Sequence, residues 1–387
     1  MSIVLSASVR QNLLSLQSTA DLLSTTQNRL ATGNKVNSAL DNPTNFFTAQ
    51  GLNNRASDIN NLLDSIGNGV QVLQAANTGI TSLQKLVDTA KSIANQVLQA
   101  PAGYTTKSTV TSTALGAGTA ADLVDGTVID ATDQLVIAAS AGHAAFTFNF
   151  TATTSLDQLN TALAASNYSA SLDSTNQLVI TTTNDTASST IGAVTFTNTG
   201  GGTLTFGAVA APVADAASQT IRSSLVKQYN DIITQITTTA QDASFNGINL
   251  LNGDDLKLTF NETGKSTLSI KGVTFNAAGL GLASLASGTD FLDNSSANAA
   301  LTKLSAASTT LRTQASSLGS NLSVVQIRQD FNKNLINVLQ TGSSNLTLAD
   351  TNEEAANSQA LSTRQSIAVS ALALANQSQQ SVLQLLR

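Results

Sequence analysis

From Ile59 to Val97 one stripe of apolar or small residues repeats without a break: Ile59, Leu62, Ile66, Gly69, Leu73, Ala76, Ile80, Leu83, Val87, Ala90, Ala94 and Val97. The spacing alternates three and four, the rhythm of a helix that seats one side against another helix. No strand can use this pattern, because strand side chains alternate with period two. A chain with so long a seam must also supply a partner of matching length. Leu301, Leu304, Ser308, Leu311, Ala315, Leu318, Leu322, Val325, Gln329, Asn332, Ile336 and Leu339 keep the same rhythm and fit that role.

Both ends of the chain carry shorter versions. Residues 3–32 place Val9, Leu13, Leu16, Ala20, Leu23, Gln27 and Leu30 on a coiled-coil seam, with Gly33 as the expected C-cap. From Asn352 onward, Leu361, Ala368, Leu372, Ala375, Val382 and Leu386 form another. Leu14, Leu22, Leu383 and Leu385 lie off these seams. The spacing also predicts a helix over 216–242, a loop at FNGINLLNG (245–253) and a β-hairpin over 256–275 around a Thr-Gly turn. The first helix is expected to pair with the last, and the second with the third and fourth.

Residues 101–217 change period. QLVIAA (134–139), AFTFNF (145–150), QLVITTT (177–183) and AVTFTN (193–198) alternate as strands do, and SLDQLNTALAAS (155–166) reads as a short helix with a Ser155–Gln158 capping box. The fold class expected is therefore mainly α. A long helical bundle or coiled coil made from both chain ends, plus a β-hairpin, would carry an inserted β-rich α+β outer domain. The expected division is 1–42 with 345–387 as terminal helices, 43–100 with 218–344 as the bundle, and 101–217 as the insert, entered through a Thr/Ser/Gly-rich linker at 105–119. Pro43, Pro101 and Pro212 are taken as boundaries between these segments.

Composition closes several routes to chemistry. The 387 residues contain no cysteine and a single histidine, so thiol nucleophiles, disulfides and thiolate metal sites are excluded. Residues 101–217 hold eight aspartates against one lysine, Lys107, and the rest of the chain is close to neutral. Without a basic face, nucleic acid is not an expected partner, and neither is an anionic membrane surface. No apolar run reaches the length of a membrane span, and the opening MSIVLSASVRQNLLS lacks the features of a cleaved secretory signal.

With these features in view, the chain resembles a bacterial flagellin, the subunit of the flagellar filament. LATGNKVNSALDNP (30–43), FNGINLLNG and the closing LADTNEEAANSQALSTRQSIAVSALALANQSQQSVLQLLR (348–387) are similar to the family's characteristic segments. The resemblance covers about 1–100 and 218–387, and within the insert AFTFNF–SLDQLNTALAAS–QLVITTT is similar to a small motif of flagellins and hook-associated proteins. It implies a self-assembling structural subunit for swimming motility, neither an enzyme nor dependent on a cofactor. Export would run unfolded through a type III conduit to a secreted, extracellular place in the flagellum. Implied partners are other copies of the chain, an export chaperone, the filament cap and hook-associated proteins. In the family the terminal helices order only inside the polymer. The assembly interface expected here is Leu13, Leu14, Leu16, Leu22, Leu23, Leu30, Leu361, Leu372, Val382, Leu383, Leu385 and Leu386. The insert falls between the second and third helices, whereas many flagellins carry theirs after the hairpin. Segment 82–96 aligns with one that a Toll-like innate receptor recognises in some flagellins. Val87 replaces the arginine of that contact, beside Lys85 and Asp88, so escape from the receptor is expected.

Sharper readings compete with plain ones. His143 is expected to be a surface or loop residue, because a zinc-protease insert would need two histidines around a glutamate. Asp122, Asp125, Asp130 and Asp133 lack calcium-loop spacing and read as a solvated acidic face. Gly200–Gly202 reads as a turn or linker. The rival identities are a hook-filament junction protein, a secreted enzyme with coiled-coil ends and a coiled-coil adhesin.

Overall fold

The computed structural model describes residues 7–199 and 201–385. In chain order its elements are α1 (Ala7–Thr32), α2 (Pro43–Gln99), β1 (Tyr104–Thr106), β2 (Thr109–Ala114), β3 (Gln134–Ile137), β4 (Phe146–Asn149), α3 (Leu156–Ala164), β5 (Tyr168–Leu172), β6 (Gln177–Thr182), β7 (Val194–Thr197), β8 (Val213–Ala214), α4 (Ala216–Asp242), β9 (Leu256–Thr259), β10 (Thr267–Ile270), α5 (Asn294–Thr347) and α6 (Thr351–Leu385). The fold is mainly α with a β-rich insert, as expected. Two compact units divide the chain. One comprises the residues up to Val70, Lys257–Leu268 and those from Ser323 on; the other comprises Gln71–Leu256 and Ser269–Leu322.

In the first unit, α1 packs along α6. Near the start of α2, Ala56 and Ile59 meet Ile336 and Leu339 of α5 in a small core, flanked by Leu52, Leu63 and Leu335. The buried Asn332 of α5 is satisfied by donating its Nδ2–H to the Phe260 carbonyl at 3.0 Å. The β9–β10 hairpin places Phe260 there, and Arg328 lies over its ring at 5.8 Å.

In the second unit the α2 seam continues as Leu73, Ala76, Ile80, Leu83, Val87, Ala90, Ala94 and Val97, all buried. Gly79 allows the close approach of Ala243 and Leu251, which would stand 2.6 and 2.7 Å from a Cβ at this position. The insert holds two antiparallel sheets of three strands, ordered β2-β6-β5 and β4-β3-β7. Both sheets share one core with α3, including Val110, Ile180, Leu135, Phe146, Leu159 and Leu163. The α3 capping box forms as read: the Gln158 N–H donates to Ser155 Oγ and the Ser155 N–H to Gln158 Oε1.

Three sequence expectations need correction here. The 105–119 stretch is not a linker: β1 pairs with β8, and β2 lies in register with β6 through Val110↔Ile180 and Thr111↔Val179. The acidic residues do not form a solvated face. Asp133 is fully buried. The N–H groups of Val128, Thr127 and Ile129 all donate to Asp125 Oδ1, so these carboxylates lock loops. His143 sits in a loop but is only 7% exposed; its ring stacks on Tyr168 at 4.4 Å and its Nδ1 lies 2.8 Å from the Ser166 carbonyl. Gly202 also serves as a close approach, since a Cβ there would stand 2.5 Å from Asp133 Oδ2 and 2.7 Å from the Val128 carbonyl.

Candidate assembly surface

The LATGNKVNSALDNP segment links α1 to α2, and a set of local hydrogen bonds holds it. Gly33 takes φ +71°, a conformation glycine adopts without strain. The chain then bridges from Asn34 to Leu348. The Lys35 N–H donates to the Thr347 carbonyl at 2.7 Å, and the Ala349 N–H to the Gly33 carbonyl at 2.9 Å. Asp41 Oδ2 accepts from the N–H groups of Ser38 and Asn37 at 2.8 and 3.0 Å. These two bonds, Ser38's first, hold its carboxyl below the ordinary aspartate range. Asn42 Oδ1 accepts the Asn45 N–H at 3.0 Å and caps α2. Pro43 then occupies the first helical position, where its missing N–H is no loss. Pro43, taken as a boundary, is thus the residue that opens the second helix.

On α1 the buried and half-buried stripe is Val9, Asn12, Leu16, Thr19, Leu23 and Thr26, with the expected Ala20 half-buried beside it. On α6 it is Glu354, Ser358, Leu361, Gln365, Ala368, Leu372 and Ala375. Both keep the three–four spacing. Arg29 reaches Glu354 at 3.3 Å near the link. The α6 stripe is the one expected from its pattern, whereas the α1 stripe is turned. Leu13 and Leu30 were expected on the seam and are 39% and 40% exposed, while Asn12, Thr19 and Thr26 alternate with Leu16 and Leu23. The sequence of α1 offers two overlapping apolar stripes, and the shorter threonines face the partner.

Several large apolar side chains remain outside. Leu14 is 69% exposed and Leu374 is 70% exposed; Leu22, Ile367 and Val369 are exposed as well. In the same unit, α5 presents Val324, Ile327, Phe331 and Val338 outward, with Ile327 68% exposed. These four keep helical spacing on the side away from Val325, Asn332, Ile336 and Leu339. Phe47 and Leu348 are exposed, and Leu40 is 96% exposed. Among the expected interface residues, the structure brings Leu16, Leu23, Leu361 and Leu372 to the α1–α6 seam and leaves Leu13, Leu14, Leu22 and Leu30 facing outward. The side chains of Val382, Leu383 and Leu385, and all of Leu386, lie outside the described residues. Leu40, Phe47 and the outward α5 stripe escaped the sequence reading, although the stripe's spacing was visible beside the core seam.

The insert is seated by a neck in the second unit. Tyr104 pairs with Ala214 and Thr106 with Val213, so its entry and exit strands lie together. At the base of the neck Arg222 of α4 is buried. Its guanidinium donates to the carbonyls of Pro101 (2.7 Å), Phe291 (2.7 Å), Ala100 (3.2 Å) and Leu292 (3.3 Å), and to Asn294 Oδ1 (3.2 Å). One side chain thereby joins the end of α2 to the start of α5. Burial lowers its pKa, while the nearby Asp293 charge opposes the shift. Asp293 Oδ1 accepts the Ser188 N–H from the insert at 2.7 Å. In the segment expected to bear on receptor recognition, Val87 is buried, while Lys85 and Asp88 are exposed.

Among the described residues no cluster of three or more histidine, aspartate or glutamate side chains is placed to hold a metal ion, and no helix is long and apolar enough to cross a membrane. The geometry supplies surfaces that can be covered by a partner chain.

Comparison with known proteins points the same way. Residues 4–117 match the bacterial flagellin N-terminal helical region, and residues 301–386 match the C-terminal helical region. Together these matches span more than half of the chain. Flagellins FljM and FljK of Caulobacter vibrioides are each 34% identical to it over 170 residues, which is 43% of this chain and 60% of the relative. Flagellin A of Rhizobium meliloti is 37% identical over 90 residues, 23% of each chain. The match thus spans about three fifths of the Caulobacter relatives' length. The two matched regions carry α1, α2 and the greater part of α5 and α6, and the chain belongs to the bacterial flagellin family.

Proposed function

We propose that this chain is the repeating structural subunit of a bacterial flagellar filament. The observation that carries the reading is the apolar surface left on the unit containing both chain ends: Leu14, Leu22, Leu374, Ile327, Phe331 and their neighbours. Full burial of each such side chain is worth roughly 1.5–3 kcal/mol. Ordering the helices costs ~1–2 kcal/mol per backbone residue, so contacts from several neighbours are needed to offset it. Different patches lie on α1, α5 and α6. Patches that meet unlike patches on the next copy make head-to-tail contacts, and contacts of this kind extend into a helical polymer instead of closing.

The terminal helices then line the filament interior, and the insert is displayed outside. This role carries with it export of the unfolded chain, an extracellular place, and dealings with an export chaperone, a filament cap and hook-associated proteins. The relatives compared are named flagellins, and no observation favours the junction-protein alternative. Segment 82–96 escapes the innate receptor on this reading. A buried Val87 offers no cation there, and the exposed Lys85 and Asp88 are the groups that a receptor would meet. A strong reporter-cell response to purified monomer would refute that part alone.

Seeded polymerisation tests the main reading. Purified chain added to short filament fragments should elongate them into long filaments. A stable monomer that never elongates any seed would overturn it.

A further inference from the structure

We propose that Asn246 is a site of spontaneous modification, where attack by the Gly247 backbone nitrogen removes the side-chain amide and leaves an aspartyl or isoaspartyl residue. Three Asn-Gly pairs occur, at 68–69, 246–247 and 252–253. All three share the same local chemistry, since glycine has no side chain to hinder its own nitrogen. Structure separates them.

Asn68-Gly69 lies inside α2, where the Gly69 N–H belongs to the helical hydrogen-bond ladder. A Cβ at Gly69 would stand 2.4 Å from Leu258, so the backbone there has no room to rearrange. Asn252 is held by donating its N–H to the Asn249 carbonyl at 3.1 Å and by its bridge to Thr274. Gly253 sits beside that threonine, whose Oγ1 would be 3.1 Å from an added Cβ.

Asn246-Gly247 is held by fewer contacts than either. It forms the tip of a two-residue turn with φ of +50° and +80°, the pattern favoured by Asn-Gly in tight hairpins. Both residues are exposed, as Asn252 and Gly253 are, but a Cβ at Gly247 would meet nothing within 4 Å. Only the reciprocal Phe245–Ile248 bonds, 3.0 and 3.1 Å, close the turn. Their opening is a local event that leaves the surrounding core intact.

The chemistry needs water alone. The Gly247 nitrogen bonds to Asn246 Cγ, the Cγ–Nδ2 bond breaks, and ammonia leaves as the nitrogen gives up its proton. Water then adds to either carbonyl of the cyclic imide and breaks one of its two C–N bonds. The net exchange is amide plus water for carboxylic acid plus ammonia. The isoaspartyl product routes the main chain through an extra methylene, so the paired Phe245–Ile248 bonds cannot both re-form. Asn249 remains anchored by its Nδ2–H bonds to the Ala240 and Gln241 carbonyls, both 2.8 Å, and confines the change to the tip.

The test is to incubate the purified full chain under mildly alkaline conditions and follow acid and isoaspartyl products at the three pairs by peptide mass mapping. In the folded chain Asn246 should convert roughly tenfold or more faster than Asn68 or Asn252, because local opening governs access. In denaturant the three rates should converge. Conversion of Asn246 no faster than the other two in the folded chain would overturn the proposal. Persistence of the same order after unfolding would also overturn it, because the selectivity would then owe nothing to the fold.

Discussion

Arg222 faces five oxygen acceptors at the base of the insert's neck, and none of them is a carboxylate. Replacing it by methionine keeps much of the volume and strands buried carbonyls. Arg222→Met should therefore lower stability by about 3 kcal/mol in denaturant titration; a loss of a few tenths would mean that water satisfies the same groups. Nothing in the sequence singled this residue out, because its acceptors lie far along the chain and are mostly backbone. Asp125 makes a pH-dependent contribution. Burial works against its charge, yet the N–H groups of Val128, Thr127 and Ile129 and the Thr127 hydroxyl hold its carboxyl well below the usual range. A carboxyl depressed in the folded state adds stability above its unfolded pKa of about 4 and loses it as pH falls toward the folded value. The insert should accordingly weaken on acidification below about pH 4. Asp125→Asn should flatten that dependence, as read by near-ultraviolet circular dichroism; an unchanged acid profile would show that other carboxylates dominate.

At the scale of the element, the long helices were legible because their cores demand strict periodicity. The α4 limits match the expected 216–242, and the α2 and α5 seams are buried or half-buried where the pattern places them. In the insert, β3, β4, β6 and β7 announced themselves through alternating large apolar residues. TVTSTA and YSASL did not, because small and hydroxylated residues alternate too faintly; β2 reaches β6 by long-range closure, and β5 joins it through the turn at 173–176. The rotation of α1 was illegible for a different reason, since two stripes compete and only the partner helix chooses between them. These elements respond differently to substitution. Ile59→Ala, in the α2–α5 core, should destabilise the subunit by about 2–5 kcal/mol. Phe331→Ser, on the outward α5 stripe, should leave unfolding of the monomer within about 0.5 kcal/mol of the parent. It should nevertheless raise the concentration needed for seeded growth. Normal growth of the Phe331 variant would remove that stripe from the assembly surface.

For the whole molecule, α1 and α6 are the helices with least to hold them. Their shared stripe mixes Asn12, Thr19, Thr26, Ser358 and Gln365 with a few leucines, and larger apolar groups than these look outward. Trimming residues 381–387 should abolish elongation while leaving the α2–α5 core folded, as seen by unchanged protease resistance of the central fragments. The most direct measurement is amide hydrogen exchange over α1 and α6, in dilute subunit and in assembled polymer. Rapid exchange of both helices in the free chain and strong protection after assembly is the expected result. Full protection already present in the dilute subunit, or none gained on assembly, would contradict burial of the chain ends by neighbouring copies.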